Sequence, residues 1–323
     1  MRILSSESSS KIFKGVYTAL VTQFLPDGSL DLKNFDKLLD AQLAGGVHGV
    51  VPCGTTGESP VLTSEEKLAL VRASVAKCKG RALVIAGTGS NDTVKTLKDS
   101  KAAADAGADA LLVVTPYYNK PSQAGLEAHF RAVADESTVP VILYNVPGRT
   151  GVSLAPSTVA KLSLHPRILA IKEATGNMAT LTEMRLAVTQ LQAQAKKPFY
   201  FLSGDDPTFW PFLANGGDGV ISVSSNVLPA CMRMMYEDWN EGRTGQGLAL
   251  HEKTFSFFNM LFVEANPVPV KALLASLGRM GATVRAPLAE LQPESFEKLK
   301  RSWDALLPHL RGDRPREDIH GQR

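Results

Sequence analysis

Ile168-Leu169-Ala170-Ile171-Lys172-Glu173-Ala174 is a short apolar run that carries a lysine. Its length and its isoleucines fit a strand covered on both faces. A lysine in such a strand has left water, and losing hydration favours the free amine over the ammonium. A desolvated amine at a strand end is the usual apparatus for a Schiff base with a carbonyl compound. Taken alone, the stretch also allows a structural lysine whose head snorkels to a rim or pairs with an acid such as Glu173.

Seven more apolar runs lie outward from it, at 16–24, 46–54, 82–89, 108–116, 139–146, 199–205 and 219–226. With 168–174 they make eight, each followed by a stretch of helical character. The helix ends are legible. Thr63-Ser64-Glu65-Glu66 reads as a capping box. Asp206-Pro207 reads as a cap residue before a proline in the first turn. Gly45-Gly46 and Gly216-Gly217 stand where a helix must close with positive φ. Eight βα units with no strand left over predict an α/β fold, a closed (β/α)8 TIM barrel, in place of an open doubly wound sheet. After Asn226 the pattern is helical only, at 232–240, 251–264, 270–277 and 294–307. The expected organisation is a disordered tail at 1–13, a barrel at 14–230, a C-terminal helical extension at 231–310 and a second tail at 311–323.

The chain has 323 residues, 44% of them apolar, and a formal charge of +3. That supports a large core and offers no basic stripe for nucleic acid. Cys53, Cys78 and Cys231 are widely spaced and form no CxxC pair, which fits a reducing cytoplasm. The start of the chain is polar (Ser5-Ser6-Glu7-Ser8-Ser9-Ser10) where a signal peptide needs an apolar run. No stretch nears the roughly 18 uninterrupted apolar residues of a membrane span. The six histidines are dispersed without His-x-His or His-Glu-x-x-His, so no metal site is expected.

A barrel keeps its chemistry at the C-terminal ends of its strands. Those ends carry Gly54-Thr55-Thr56-Gly57-Glu58, Thr115-Pro116-Tyr117-Tyr118-Asn119, Tyr144-Asn145-Val146-Pro147-Gly148-Arg149-Thr150-Gly151, Lys172, Ser203-Gly204-Asp205-Asp206 and Val220-Ile221-Ser222. The Gly54–Gly57 turn offers backbone N–H groups and two hydroxyls, which suits a small carboxylate or an ordinary polar loop. Tyr144 sits at an inward position one strand from Lys172, either as core or as a phenol able to relay a proton. Arg149 can clamp a carboxylate in two-pronged fashion or lie on the surface. Ala86-Gly87-Thr88-Gly89-Ser90 lacks phosphate-loop spacing and reads as a tight βα turn.

Several long motifs, in order and over roughly residues 14–310, resemble the dihydrodipicolinate synthase branch of the pyruvate-dependent class I aldolases, a family that includes N-acetylneuraminate lyase. They are Gly54-Thr55-Thr56-Gly57-Glu58-Ser59, Thr115-Pro116-Tyr117-Tyr118-Asn119-Lys120-Pro121, Tyr144 to Gly151, Ile171-Lys172-Glu173-Ala174-Thr175-Gly176 and Asn266-Pro267-Val268-Pro269-Val270-Lys271. The resemblance implies that Lys172 forms a Schiff base with pyruvate. It also implies a proton relay of Tyr144, Thr55 and Tyr118, with Tyr118 reaching in from a neighbouring subunit of a homotetramer. Thr56 would hold the pyruvate carboxylate, Gly204 and Ile221 would line the pyruvate pocket, and Arg149 would receive L-aspartate 4-semialdehyde. No cofactor is implied.

Arg149 and its Arg-Thr-Gly context speak against the main enzymatic alternative, a sugar-acid aldolase of the 2-keto-3-deoxy-gluconate or N-acetylneuraminate lyase type. An inactive keto-acid-binding barrel is the alternative of another class. One departure from the family pattern concerns regulation. Members inhibited by L-lysine hold it with a glutamate and a histidine, and here Lys95 and Lys67 occupy the matching positions, although Ser59, Asn91 and Tyr117 match. Two cations there predict insensitivity to L-lysine.

Overall fold

Side chains of successive strand residues point to opposite faces, and here the two faces are two separate hydrophobic clusters. In the strand 141–145, Val141 and Leu143 belong to the layer between strands and helices, while Ile142 and Tyr144 belong to an inner cluster with Tyr17, Val51, Ile85, Leu112, Ala170, Leu202 and Ile221. Such an inner cluster, fed by many strands, is what a closed barrel requires. The computed structural model describes residues 13–192 and 197–312. Among them the strands are β1 (Gly15–Ala19), β2 (Gly49–Val51), β3 (Leu83–Gly87), β4 (Ala110–Val114), β5 (Val141–Asn145), β6 (Ile168–Glu173), β7 (Tyr200–Ser203) and β8 (Gly219–Ser222). Each pairs in parallel with the next and β8 pairs with β1, closing the expected barrel. Every strand falls within its apolar run except β1, which starts one residue earlier.

The helices are α1 (Leu32–Ala44), α2 (Ser64–Cys78), α3 (Thr93–Asp105), α4 (Gln123–Glu136), α5 (Pro147–Thr150), α6 (Pro156–Ser163), α7 (Met178–Gln192), α8 (Phe209–Ala214), α9 (Pro229–Asn240), α10 (Thr244–Met260), α11 (Val268–Ser276) and α12 (Pro293–Gly312). The capping box is present at α2, where Thr63 and Glu66 bond reciprocally. Gly46 and Gly216 adopt φ of +70° and +83° just after α1 and α8. Asp206 is no helix cap. The helix starts at Phe209, and the Asp206 carboxylate turns instead to β8's far end, accepting from Val223 N at 3.0 Å and from Ser224 N and Oγ at 2.7 Å.

The boundary expected at 230/231 falls inside α9, which packs on β1 and α1 and so takes the place of the eighth barrel helix. The extension proper is α10–α12. In α12 the buried residues Leu299, Trp303, Leu306 and Leu310 recur every three or four positions and form its inner face against α10 and α11. Phe13, expected in the N-terminal tail, is fully buried edge-on to Tyr200 and plugs the barrel floor. The rest of that tail, 1–12, and residues 313–323 lie outside the described residues; Arg311 and Gly312 continue α12. No described helix is long and apolar enough to cross a membrane.

The extension reaches back to the barrel mouth through polar contacts. Lys271 on α11 places Nζ 2.5 Å from Glu58 Oε1, with both side chains at most 1% exposed. Glu58 Oε2 accepts from Arg285 N at 2.9 Å, and the Arg285 guanidinium grips Glu66 on α2. Phe24 lies between the two cations, 4.5 Å from Lys271 Nζ and 4.3 Å from Arg285 Cζ. Burial pulls the Lys271 ammonium below the usual lysine range, and Glu58 opposes that. Removing one member of a buried pair strands the other charge, at about 3–5 kcal/mol. Lys271→Met is therefore expected to lower the unfolding free energy by about that amount in denaturant titrations. Adding Glu58→Gln should recover most of it. A loss below about 1 kcal/mol in the single variant would contradict a structural role for the pair.

Candidate active site

Strand parity decides which way Lys172 faces. On β6, Ala170 points into the barrel and Ile171 out, so Lys172 points in and Glu173 out. On β5, Tyr144 points in and Asn145 out. The two strands set Tyr144 opposite Lys172 and Asn145 opposite Glu173. Lys172 is 5% exposed, and its Nζ lies 4.3 Å from the centre of the Tyr144 ring. It makes no ion pair among the described residues. Glu173 bonds elsewhere, accepting from Asn145 Nδ2 at 2.7 Å and from Thr175 N at 2.8 Å. Burial pushes the Glu173 carboxyl above its ordinary range against those hydrogen bonds. Pairing with Glu173 and snorkelling to the rim are thus both excluded for Lys172.

On the outer face, Asn145 is a hub that the motif reading passed over. Its Oδ1 accepts from Leu154 N at 3.0 Å while its Nδ2 serves Glu173, so one amide joins β5, β6 and the segment that follows α5, the helix of Arg149. Gly204, at the end of β7, has a steric reason to be glycine. A Cβ there would lie 2.9 Å from Lys172 Cε and 2.5 Å from Ala174 Cβ. Ile221 is buried in the inner cluster.

The Gly54–Gly57 turn is flanked by two non-glycine residues in the left-handed region, Cys53 (φ 60°) and Glu58 (φ 55°). That conformation costs roughly 1–2 kcal/mol per residue, and the Lys271–Glu58 pair holds it. The Thr55 hydroxyl lies 3.4 Å from the Tyr144 hydroxyl. Thr56 is 2% exposed, and its Oγ1 accepts from Asn266 Nδ2 at 3.0 Å. Asn266 also offers its carbonyl to the Arg149 guanidinium at 3.5 Å. Glu58, Asn266, Lys271 and Arg285 therefore support the site; the first three lie in the long motifs, and Arg285, in the segment between α11 and α12, carried no sequence signal.

A cavity of about 290 Å³ opens at the mouth, lined at one end by Thr55, Tyr144 and Arg149 and at the other by Ser59, Lys67, Lys95 and Tyr117. Lys172, Gly204, Thr56, Ile221 and Asn91 are not on its wall; Lys172 meets it through Tyr144. Cys53 is on the wall, but burial pushes its thiol up to about 12, so it stays protonated. Tyr118 is not brought to this mouth. It is 89% exposed at φ 73° and points to solvent. Among the described residues no group of three His, Cys, Asp or Glu could hold a metal.

Fold and mouth together define a (β/α)8-barrel protein with a buried amine facing a tyrosine. The chain belongs to the Dihydrodipicolinate synthetase family, whose sequence model matches residues 12–306. It is 48% identical over 292 residues to the 4-hydroxy-tetrahydrodipicolinate synthase of Bdellovibrio bacteriovorus, covering 90% of this chain and 97% of that protein. The corresponding figures for the 4-hydroxy-tetrahydrodipicolinate synthase of Magnetococcus marinus are 44% over 295 residues, 91% and 98%. Among solved structures, it matches the chloride-inhibited dihydrodipicolinate synthase of Acinetobacter baumannii complexed with pyruvate, at TM-score 0.86 and 38% identity, covering 91% of this chain and 98% of that one.

Gly204→Ala is expected to keep the barrel's circular dichroism and to push the Lys172 stem aside. A displacement of about 1 Å at a reacting group costs on the order of 10²-fold in rate. A crystal structure of the variant with Nζ still over the Tyr144 ring, and unchanged activity, would contradict this.

Proposed function

We propose that this chain is a lyase that condenses pyruvate with L-aspartate 4-semialdehyde to 4-hydroxy-tetrahydrodipicolinate, the first committed step toward diaminopimelate and lysine. The observation that carries the reading is Lys172: a buried amine that makes no ion pair among the described residues, held against Tyr144, whose hydroxyl reaches Thr55. The relatives' names and the pyruvate complex of the A. baumannii protein support the choice of substrates.

The steps follow from this placement. The amine of Lys172 attacks the ketone carbon of pyruvate, and Tyr144 gives a proton to the departing oxygen, which leaves as water. The resulting iminium withdraws electrons, so the methyl group gives up a proton, to the relay that Tyr144 forms with Thr55, and becomes an enamine. Its carbon bonds to the aldehyde carbon of the second substrate. That substrate's amino group then attacks the iminium carbon, closes the ring and releases Lys172. Thr56 and the turn's N–H groups suit the pyruvate carboxylate, with Gly204 and Ile221 shaping the pocket behind it. Arg149 at the rim suits the carboxylate of the semialdehyde. A 2-keto-3-deoxy sugar acid has no use for an arginine in that place.

Borohydride reduction in the presence of pyruvate should leave a three-carbon adduct on Lys172 that Lys172→Ala abolishes. An adduct on another lysine sinks the assignment. Tyr144→Phe should fold and lose on the order of 10²–10⁴-fold in kcat.

Tyr118 completes the relay of a neighbouring subunit in a homotetramer built as a dimer of dimers. Its full exposure and left-handed backbone in a single chain support that role. Two inactive variants, Tyr118→Phe and Lys172→Ala, are then expected to regain activity after subunit exchange, because each hybrid dimer contains one intact site. No recovery would mean that Tyr118 acts within its own chain, if at all. The free, buried cysteines support a cytoplasmic location, which cell fractionation checks.

The enzyme is insensitive to L-lysine. Lys67 and Lys95 on the cavity wall repel a cationic effector. Millimolar L-lysine is expected to leave the rate unchanged, and Lys95→Glu with Lys67→His to introduce inhibition. Inhibition of the unmodified enzyme would show that these two positions do not decide regulation.

A further inference from the structure

The segment 151–155 joins α5, the helix of Arg149, to α6, and belongs to no strand or helix. Gly151 turns it at φ 71°, and Ala155, which opens α6, has no side chain able to cap that helix. The backbone groups of 153–155 therefore need partners from elsewhere in the fold. Two side-chain amides supply them. Asn145 Oδ1 takes the Leu154 N–H from β5. The second amide belongs to Gln123, in the first turn of α4, a residue that the proposed reaction does not use.

Gln123 Nε2 donates to Ser153 O at 2.8 Å, and its Oε1 accepts from Ala155 N at 3.0 Å and from Thr158 Oγ1 at 2.7 Å. A donor to residue 153 and an acceptor from residue 155 are the two bonds that a neighbouring parallel strand would make across Leu154. One side chain thus stands in for a strand, and Leu154 is held in the core at 1% exposure. The loop leading into α4 follows the same path. Tyr118 N donates to Thr150 O at 3.4 Å, and the Lys120 stem lies where a Cβ on Gly151 would come within 2.8 Å of its Cε.

This matters for Arg149 because α5 is a single turn of four residues, Pro147–Thr150. So short a helix has no stability of its own. Its direction depends on what fixes its two ends. One end continues β5 through Val146, and the other runs into the Gln123 clamp.

We propose that Gln123 is a positioning residue for the second substrate: by fixing 153–155 it holds the Arg149 turn where the guanidinium meets a carboxylate. The proposal rests on the role given above to Arg149. It makes semialdehyde recognition depend on a side chain that is not on the cavity wall. Pyruvate, held from β6 and the Thr55-Thr56 turn, is independent of the clamp.

Steady-state kinetics of Gln123→Ala test this, alanine being well suited to a helix. The KM for the semialdehyde is expected to rise on the order of tenfold, with the pyruvate KM and kcat nearly unchanged. Gln123→Glu keeps the length but turns a second acceptor toward the Ser153 carbonyl, and should do at least as much harm. In an Arg149→Ala background, adding Gln123→Ala should change kcat/KM for the semialdehyde by less than about twofold, because the group it positions is gone. Equal rises in both KM values, a wild-type KM in Gln123→Glu, or effects of Gln123→Ala and Arg149→Ala that simply multiply would overturn the proposal. Amide hydrogen exchange reads the clamp without turnover. Exchange across 149–155 should quicken in Gln123→Ala, and unchanged exchange there would also overturn it. A wild type that does not turn over the semialdehyde would instead sink the proposed reaction, which separates the two failures.

Discussion

Glu58 and Lys271 come from opposite ends of the chain and meet where water does not reach, with both side chains essentially unexposed. A buried ion pair adds little net stability, because desolvation offsets most of the attraction. What it supplies here is location. Glu58 follows Gly57 in the left-handed region, a conformation a glutamate leaves when unconstrained. Held by Lys271 and by the backbone N–H of Arg285, it brings the Thr55-Thr56 turn to the barrel mouth in one fixed shape. Asn266 does the same for Thr56 and for the Arg149 side chain. The C-terminal helices thus act as a bracket on a loop that belongs to the other end of the sequence.

The other half of the site depends on strand pairing. The alternation that fills the barrel with Ile142, Ala170 and Leu202 also puts Tyr144 and Lys172 side by side. One position further along, the same register places Asn145 and Glu173 together on the outer face, where they bond at 2.7 Å. A slip of β6 by one residue would turn the amine out of the barrel, and a slip of β5 the phenol. The outer amide–carboxylate contact opposes that slip at the one place where it would be most damaging.

Local pattern carried much of this. Eight apolar runs located all eight strands, and the Thr63–Glu66 box located the start of α2, because each signal is contained in a few neighbouring residues. Lys172 was conspicuous as a charge inside one such run. Asp206 misled because an aspartate before a proline is a good cap by local rules; its carboxylate is taken instead by the Val223 and Ser224 N–H groups, which are close only once the barrel has closed. The Glu58–Lys271 pair spans 213 residues, and no periodicity reports on such a contact. Likewise α9 read as the start of the extension, since nothing in a helix's own sequence says whether it covers β1 or packs beyond the barrel.

The bracket has a consequence for how such a chain can be divided. All eight strands end by Ser222, and a break after α9 would leave a complete barrel in the ordinary sense. It would also free Thr56, release the Arg149 guanidinium from Asn266 and leave the Glu58 carboxylate buried against nothing. The smallest heritable module is therefore not the barrel but the stretch from the Phe13 plug to Arg285. Gene fusions, circular permutations and domain borrowings that respect the visible barrel boundary would transmit the scaffold without its mouth.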